Sequence, residues 1–357
     1  MMTILARYMS RKLFAHTLLV LASLVALSLT FELMERTDNV LALSDGNAFA
    51  VVAYAVLRTP EFIAKQLPMS VLVGALITFG MLRRYDELIA MWGSGVSALD
   101  MMKALLPIAL VLGAIQFGLD DFAVPQSEAF LRDRGLGEVG RKDLVAKELS
   151  ATWLRSGQDV VRIPKAAAQH GELQDIIVFR RDASGSLIER LDATNATPVP
   201  EGWMLQDVTS RTVTPSKLTT HKTLLWQGHI DIDQLPLLAG SQQELSLREM
   251  AFLIDNDGFG QRPADLYRTW RQHRFASTMV PMLVICLVIT LAQRFHRTGD
   301  FGYLMLTGMG YGFAFFVVDG ASLAMGEAAL LPPWFAAWCA EFVLSCLIAA
   351  FILKAEG

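Results

Sequence analysis

Cysteine is scarce in this chain, and charge is scarcer than in water-soluble domains. The three cysteines, Cys286, Cys339 and Cys346, all fall inside apolar runs. An odd number of thiols so placed excludes a disulfide framework and has no metal-ligand spacing, so they read as small packing residues. Charged residues make up 18% of the 357 positions and hydrophobic ones 53%, against about 25% charged in typical soluble domains. Disorder, collagen-like repeats and a disulfide-stapled secreted fold are excluded by these numbers. A net charge of -4 and a pI near 5.9 lack the basic footprint of a nucleic-acid binder. Catalytic signatures are missing too. The chain has neither G-x-x-x-x-G-K-[ST] nor H-E-x-x-H, and its six histidines are not grouped at ligand spacing. Gly93-Ser94-Gly95 lacks the G-x-S-x-G spacing of a serine nucleophile.

What is present is long apolar runs, dense at both ends and absent from the middle. They cover residues 13–31, 63–82, 102–123, 275–293, 301–319 and 334–353. Each is long enough to cross roughly 30 Å of hydrocarbon at about 1.5 Å per residue. The first follows Arg7, Arg11 and Lys12 as a signal peptide would, yet it is too long for a signal core and reads as a retained span. Basic residues of the short segments set the orientation. Arg7, Arg11, Lys12, Arg83, Arg84, Lys103, Arg294, Arg297 and Lys354 fall on one side, and Arg36, Arg58 and Lys65 on the other. Both termini are therefore expected inside the cell.

The expected fold is a membrane α-helical one, six transmembrane helices with an inserted extracytoplasmic all-β domain of jelly-roll type. Residues 1–123 carry spans one to three, 124–274 the insertion with its connectors, and 275–357 spans four to six. Within the insertion, DVVRI, DIIVFRR, SLIERLDAT, GWMLQDVTS and TLLWQGHID alternate in the manner of short strands between turn-formers. The flanks 126–150 and 246–273 read as helical connectors. Residues 47–58, ending at Thr59-Pro60, read as a short interfacial segment. Residues 84–98 read as a short amphipathic cytoplasmic helix, with Leu88, Met91 and Trp92 on one face, acids Asp86 and Glu87 at its start and Gly93 and Gly95 at its end.

Four further features carry open readings. Gly308-x-x-x-Gly312 is either a sliding helix contact or ordinary packing. Glu341 sits about two turns inside span six, as a solvated outer-leaflet carboxylate, a cavity-lining group or a partner of Lys65. Asp120, Asp121 and Asp319 close their spans and are expected at the wet outer interface. Glu87 is either a solvated helix-start acid or an ion-pair partner for a docked cytoplasmic subunit.

The chain resembles the LptF/LptG permeases of bacterial lipopolysaccharide export, the LptG branch more closely. Residues 66–97, QLPMSVLVGALITFGMLRRYDELIAMWGSGVS, carry the strongest match, through Pro68-Met69, Gly74-Ala75-Leu76, Gly80-Met81-Leu82, Glu87-Leu88 and Gly95. Ala123-Val124-Pro125-Gln126 with Glu128, Gly312-Phe313 through Phe316-Val317-Val318-Asp319, and Leu331-Pro332-Pro333 follow in order. The resemblance implies a non-catalytic permease subunit of an ABC exporter in the bacterial inner membrane, its central domain in the periplasm. It implies no cofactor in this chain, with ATP and magnesium on a separate ATPase. Implied partners are an LptF-like second permease in a heterodimer, an LptB-like ATPase dimer, the periplasmic bridge proteins LptC and LptA, and lipopolysaccharide, with no nucleic acid.

By the same resemblance, Arg84, Glu87, Leu88, Met91 and Trp92 would couple to the ATPase. Phe31, Glu32, Arg36, Gly312, Phe315, Phe316 and Asp319 would line the lipid cavity or its lateral gates, formed by spans one and five. One departure stands out. Family members of the LptG type often carry lysines at the outer end of span one, where this chain reads FELMERTDN with only Arg36 basic. Either Arg36 meets lipid phosphate alone, or the partner does, or the lipid carries fewer phosphates. Composition by itself also accommodates a permease for another lipid or lipoprotein, or a membrane scaffold with an extracytoplasmic ligand domain.

Overall fold

The computed structural model describes residues 4–43, 48–133, 151–164, 173–182, 185–213, 217–228, 241–255, 262–294 and 301–356. The chain divides into two compact units, one of residues 1–131, 242–247 and 265–357 and the other of residues 132–241 and 248–264.

The first unit is helical, and six of its helices are long and apolar enough to cross a membrane. They are α1 (Ile4–Leu43), α2 (Ala48–Arg84), α4 (Ala98–Gly118), α7 (Ala264–Arg294), α8 (Phe301–Glu327) and α9 (Pro333–Glu356). Between α2 and α4 lies the short α3 (Glu87–Gly93), and α4 runs through a π turn at Leu119–Ala123 into α5 (Val124–Asp133). Two helices form the centre. Their most apolar stretches are 56% buried in α2 and 67% in α7, against 17% in α1 and 22% in α8. Leu72, Leu76, Phe79 and Leu82 of α2 join Val284, Leu287, Val288 and Leu291 of α7 in one core.

The expected interfacial segment at 47–58 is instead the first part of α2, which continues through Pro60 and Pro68. A proline inside a helix strips the carbonyl four residues earlier of its partner. Neighbouring helices in a membrane protein can re-satisfy such groups. Here the buried Gln116 of α4 donates to the carbonyl of Ala64 at 3.2 Å, the one that Pro68 leaves free. A polar side chain on one span thus lets another remain unbroken.

The second unit holds six antiparallel strands in sequential order: β1 (Ala151–Ser156), β2 (Asp159–Pro164), β3 (Leu173–Arg181), β4 (Leu187–Val199), β5 (Gly202–Thr212) and β6 (Lys217–Trp226). Four of the five segments read as strands lie in this sheet at β2 to β5, the fifth (223–231) contributes Thr223–Trp226 to β6 with residues 229–231 outside the described ones, and β1 is added before them. Val161, Ile163, Ile176, Val178, Leu191, Leu205 and Val208 are buried. Alternation shifts phase at one height across three strands. Burial passes from Leu173 to Ile176, from Ala193 to Ala196 and from Leu205 to Val208. Asp175 and Asp207, with φ of 53° and 49°, sit within those shifts. A left-handed residue on each of two strands creases the sheet while keeping its apolar side chains on one face. The helix α6 (Leu247–Asp255) buries Met250 and Leu253. Of the connector expected at 126–150, residues 126–133 belong to α5 and residues 134–150 lie outside the described residues.

Candidate functional site

Three features of the helical unit bear on function, and the first is α3. Two residues of positive φ bracket it, Asp86 at 56° before and Gly95 at 88° after. Aspartate tolerates the left-handed region better than most residues, and glycine without penalty. Ser97 then starts α4 with a reciprocal capping box to Asp100, fixing the chain's direction as it returns to the bundle. Leu88 is wholly buried, and Met91 and Trp92 pack against the same core. Their apolar face therefore anchors α3 to its own bundle. Ile89 and Ala90 of α3 are exposed, as are Arg84 at the end of α2 and Tyr85 in the turn between them, Tyr85 at 64% and Ile89 at 49%.

Glu87 is engaged within the chain. Its carboxylate accepts from the Tyr8 hydroxyl at 2.7 Å and from Lys12 Nζ at 3.1 Å. The Tyr8 hydrogen bond first, then the Lys12 ammonium, hold its pKa below the usual carboxylate range. For a depressed acid the stabilisation is full above the ordinary pKa and lost as pH falls through the lower, folded one. This clamp between α3 and α1 is therefore intact near neutrality. The clamp ties α3 to α1 through Glu87.

The second feature is a buried ion network where α1 and α2 meet α5. Glu32 accepts from the Tyr54 hydroxyl at 2.6 Å and pairs with Arg36 at 3.0 Å and Arg58 at 3.4 Å. Arg58 also pairs with Glu61 and Glu128, and Lys65 with Glu61. Three bases face three acids, and the side chains of Arg58, Glu61 and Glu128 are almost wholly buried. Buried charges persist only when paired. Arg36 is buried in this network, and its guanidinium is held by Glu32. That placement argues against Arg36 as a solitary phosphate contact on span one.

Of the other gate candidates, Phe31 projects outward at 63% exposure, Phe315 is buried and Phe316 half-buried, their rings 5.3 Å apart. Gly312 and Gly308 lie against Leu72 and Leu76 of α2, so the G-x-x-x-G row is a packing face of this chain. The outward face of α8 is Leu306, Met309, Phe313 and Val317. Their i, i+3, i+7, i+11 spacing is the helical signal that would have picked them out.

The third feature is a cavity of about 280 Å³ lined by Lys65, Gln116, Asp120, His273, Arg274 and Asp319, among others. Arg274 is buried and donates to the backbone carbonyls of Asp120 and Leu245. Gln116 also donates to Asp120 at 2.9 Å. Asp121 accepts from the backbone of Leu247 at 2.6 Å. The two aspartates are thus structural acceptors around the π turn, an irregularity common at functional sites. Asp319 does not close its span, because α8 runs on to Glu327. It lies 3.7 Å from His273. Glu341 is 3% exposed, which overturns the solvated reading, and Lys65 pairs with Glu61 instead. Sequence reasoning missed His273, Gln116 and Arg274, whose partners lie on other helices.

Comparison with known proteins agrees with this architecture. The chain is 24% identical over 327 residues to the lipopolysaccharide export system permease protein LptG of Haemophilus influenzae, covering 89% of each chain. It is 25% identical over 331 residues to the LptG protein of Escherichia coli K12, covering 88% of each. The profile of the family described as lipopolysaccharide export system permease LptF/LptG matches residues 7–354, and a match of that extent places this chain in the LptF/LptG permease family.

Proposed function

We propose that this chain is one permease subunit of an ABC exporter that extracts lipopolysaccharide from the inner membrane and passes it to a periplasmic β bridge. The observation that carries the reading is the short, rigidly bracketed α3 between two spans, with Tyr85 and Ile89 facing out and Glu87 clamped to α1. A permease of this kind needs an ATPase seat joined mechanically to a gate, and α3 joins one exposed surface to α1. The ATPase dimer would dock on Arg84, Tyr85 and Ile89. Glu87, Leu88, Met91 and Trp92 would transmit the displacement as a rigid unit.

Spans one and five would then face the second, LptF-like permease. α1 and α8 bury less of their apolar stretches within this chain than the other four spans do. Phe31, Phe313 and Val317 supply apolar surface for acyl chains there. Phosphate contact from the outer end of span one would pass to the partner permease, since Arg36 is occupied by Glu32. In this reading the β domain lies in the periplasm, toward LptC-like and LptA-like proteins.

The test is purification from the native membrane in mild detergent, followed by identification of co-purifying chains and assay of ATP hydrolysis. A second permease and an ATPase are expected. Ile89→Asp should lower recovered ATPase at least ten-fold while leaving the melting temperature of the chain unchanged. Leu88→Ala should instead destabilise it by about 2–5 kcal/mol, as truncation of a fully buried leucine does. Ile89→Asp retaining full ATPase, or a chain that purifies alone, would overturn the reading.

A further inference from the structure

We propose that His273, Asp319 and Glu341 form a binding site for one divalent transition-metal ion of the zinc or manganese type. The three residues come from three different helices, α7, α8 and α9. Each lies roughly two to three turns, on the order of 12 Å, from a terminus of its own helix, the N-terminus of α7 and of α9 and the C-terminus of α8. The fold therefore sets them at one height, one from each neighbouring span. One ligand atom of each lies within 4.8 Å of the others, and His273 Nδ1 is 3.7 Å from Asp319 Oδ1. Tetrahedral zinc with bonds of about 2.0–2.2 Å sets its ligand atoms about 3.3–3.6 Å apart. The imidazole and Asp319 are nearly at that spacing, and Glu341 has three torsions with which to close the rest.

The hydrogen-bond accounting points the same way. Both carboxylate oxygens of Glu341, Asp319 Oδ1 and His273 Nδ1 are buried without a hydrogen-bond partner among the described residues. Glu341 is only 3% exposed, and two carboxylates at membrane depth with no cation near them but the His273 imidazole are costly. No lysine or arginine pairs with either of them among the described residues. Lys65 is held by Glu61, and Arg274 by the carbonyls of Asp120 and Leu245. A divalent cation would satisfy all four atoms at once.

The donor set narrows the ion. One imidazole with two carboxylates suits zinc or manganese, whereas magnesium and calcium favour oxygen alone. Supporting contacts orient the imidazole. It meets the backbone of Ala337 and stands edge-on to Trp270 at 5.5 Å, and Trp270 donates to Glu327 at 2.6 Å. Such supports fix the nitrogen presented to a metal. His273 and Asp319 also line the 280 Å³ cavity, which provides a route in and room for a water ligand. Bound there, the ion would pin the three helices of the C-terminal half together.

The experiment uses the full chain, purified in detergent through an affinity tag free of histidine and stripped with EDTA. Zn²⁺, Mn²⁺ and Mg²⁺ are then titrated in turn by calorimetry, with thermal unfolding followed in parallel. One Zn²⁺ or Mn²⁺ per chain is expected, with a raised melting temperature and no response to Mg²⁺. Asp319→Asn and Glu341→Gln should each weaken binding at least ten-fold, while His221→Gln, on β6, leaves it unchanged. Should the carboxylate variants fail to fold, Co²⁺ added to the stripped parent chain reads the site directly, through visible bands of low-symmetry coordination displaced by Zn²⁺. Absence of those bands, or equal binding by parent and double variant, would overturn the site and leave the cluster holding protons alone.

Discussion

Arg58→Met is expected to cost about 3–5 kcal/mol, because it removes one partner of a buried charge network and leaves the others behind. Arg58 contacts Glu32, Glu61 and Glu128 together. Methionine fills the volume but carries no charge, so three acids would face only Arg36 and Lys65. The side chain of Glu128 is 1% exposed and cannot turn to water. Thermal unfolding of the purified chain in detergent reads the effect as a large drop in melting temperature and yield. Replacing Glu128 by leucine in the same chain should recover part of the loss, since a neutral buried pair avoids the desolvation penalty. An Arg58→Met chain melting within about 2 °C of the parent, a shift worth about 1–1.5 kcal/mol at this chain length and so short of the expected loss, would show that the network does not hold α1, α2 and α5 together.

The second large effect concerns a glycine outside the G-x-x-x-G motif. A Cβ on Gly74 would stand 2.7 Å from both the backbone nitrogen and the Cα of Thr17. Backbone cannot rotate away, so Gly74→Ala must push α1 off α2, at a cost of about 1–3 kcal/mol. A Cβ on Gly312 would meet Leu72 Cδ2 at 2.1 Å, the far end of a flexible side chain. Gly312→Ala is therefore expected to be nearly neutral, since alanine regains about 1 kcal/mol of helix propensity. Thr17→Ala should not rescue Gly74→Ala, because the collision is with main chain. Melting temperatures of the three variants decide it. Equal losses at Gly74 and Gly312 would mean that both contacts yield alike. The clamp of Glu87 by Tyr8 and Lys12 fastens the end of α1 beside α3, so the α1–α2 contact bears on any motion that α3 transmits.

Much of this molecule is determined by its sequence alone. Six apolar runs of spanning length are a local property, and each emerged as a membrane-length helix because partition into hydrocarbon depends on length and polarity rather than on neighbours. Strand alternation in the middle third and the acid-to-glycine punctuation of α3 were legible for the same reason. Tertiary structure decided everything that depends on what stands opposite. Pro60 reads as the end of a short interfacial segment, yet α2 runs on through it and through Pro68, where Gln116 of another helix covers the carbonyl of Ala64. Leu88 reads as a docking surface until the bundle covers it, leaving Tyr85 and Ile89 outside. Arg36 reads as a lone cation until Glu32 claims it within a network that crosses three helices. His273, Asp319 and Glu341 share no motif, because their spacing is set by helix packing across three spans. A one-dimensional pattern records the period along a helix; the groups facing each other across neighbouring helices are set only when the bundle closes.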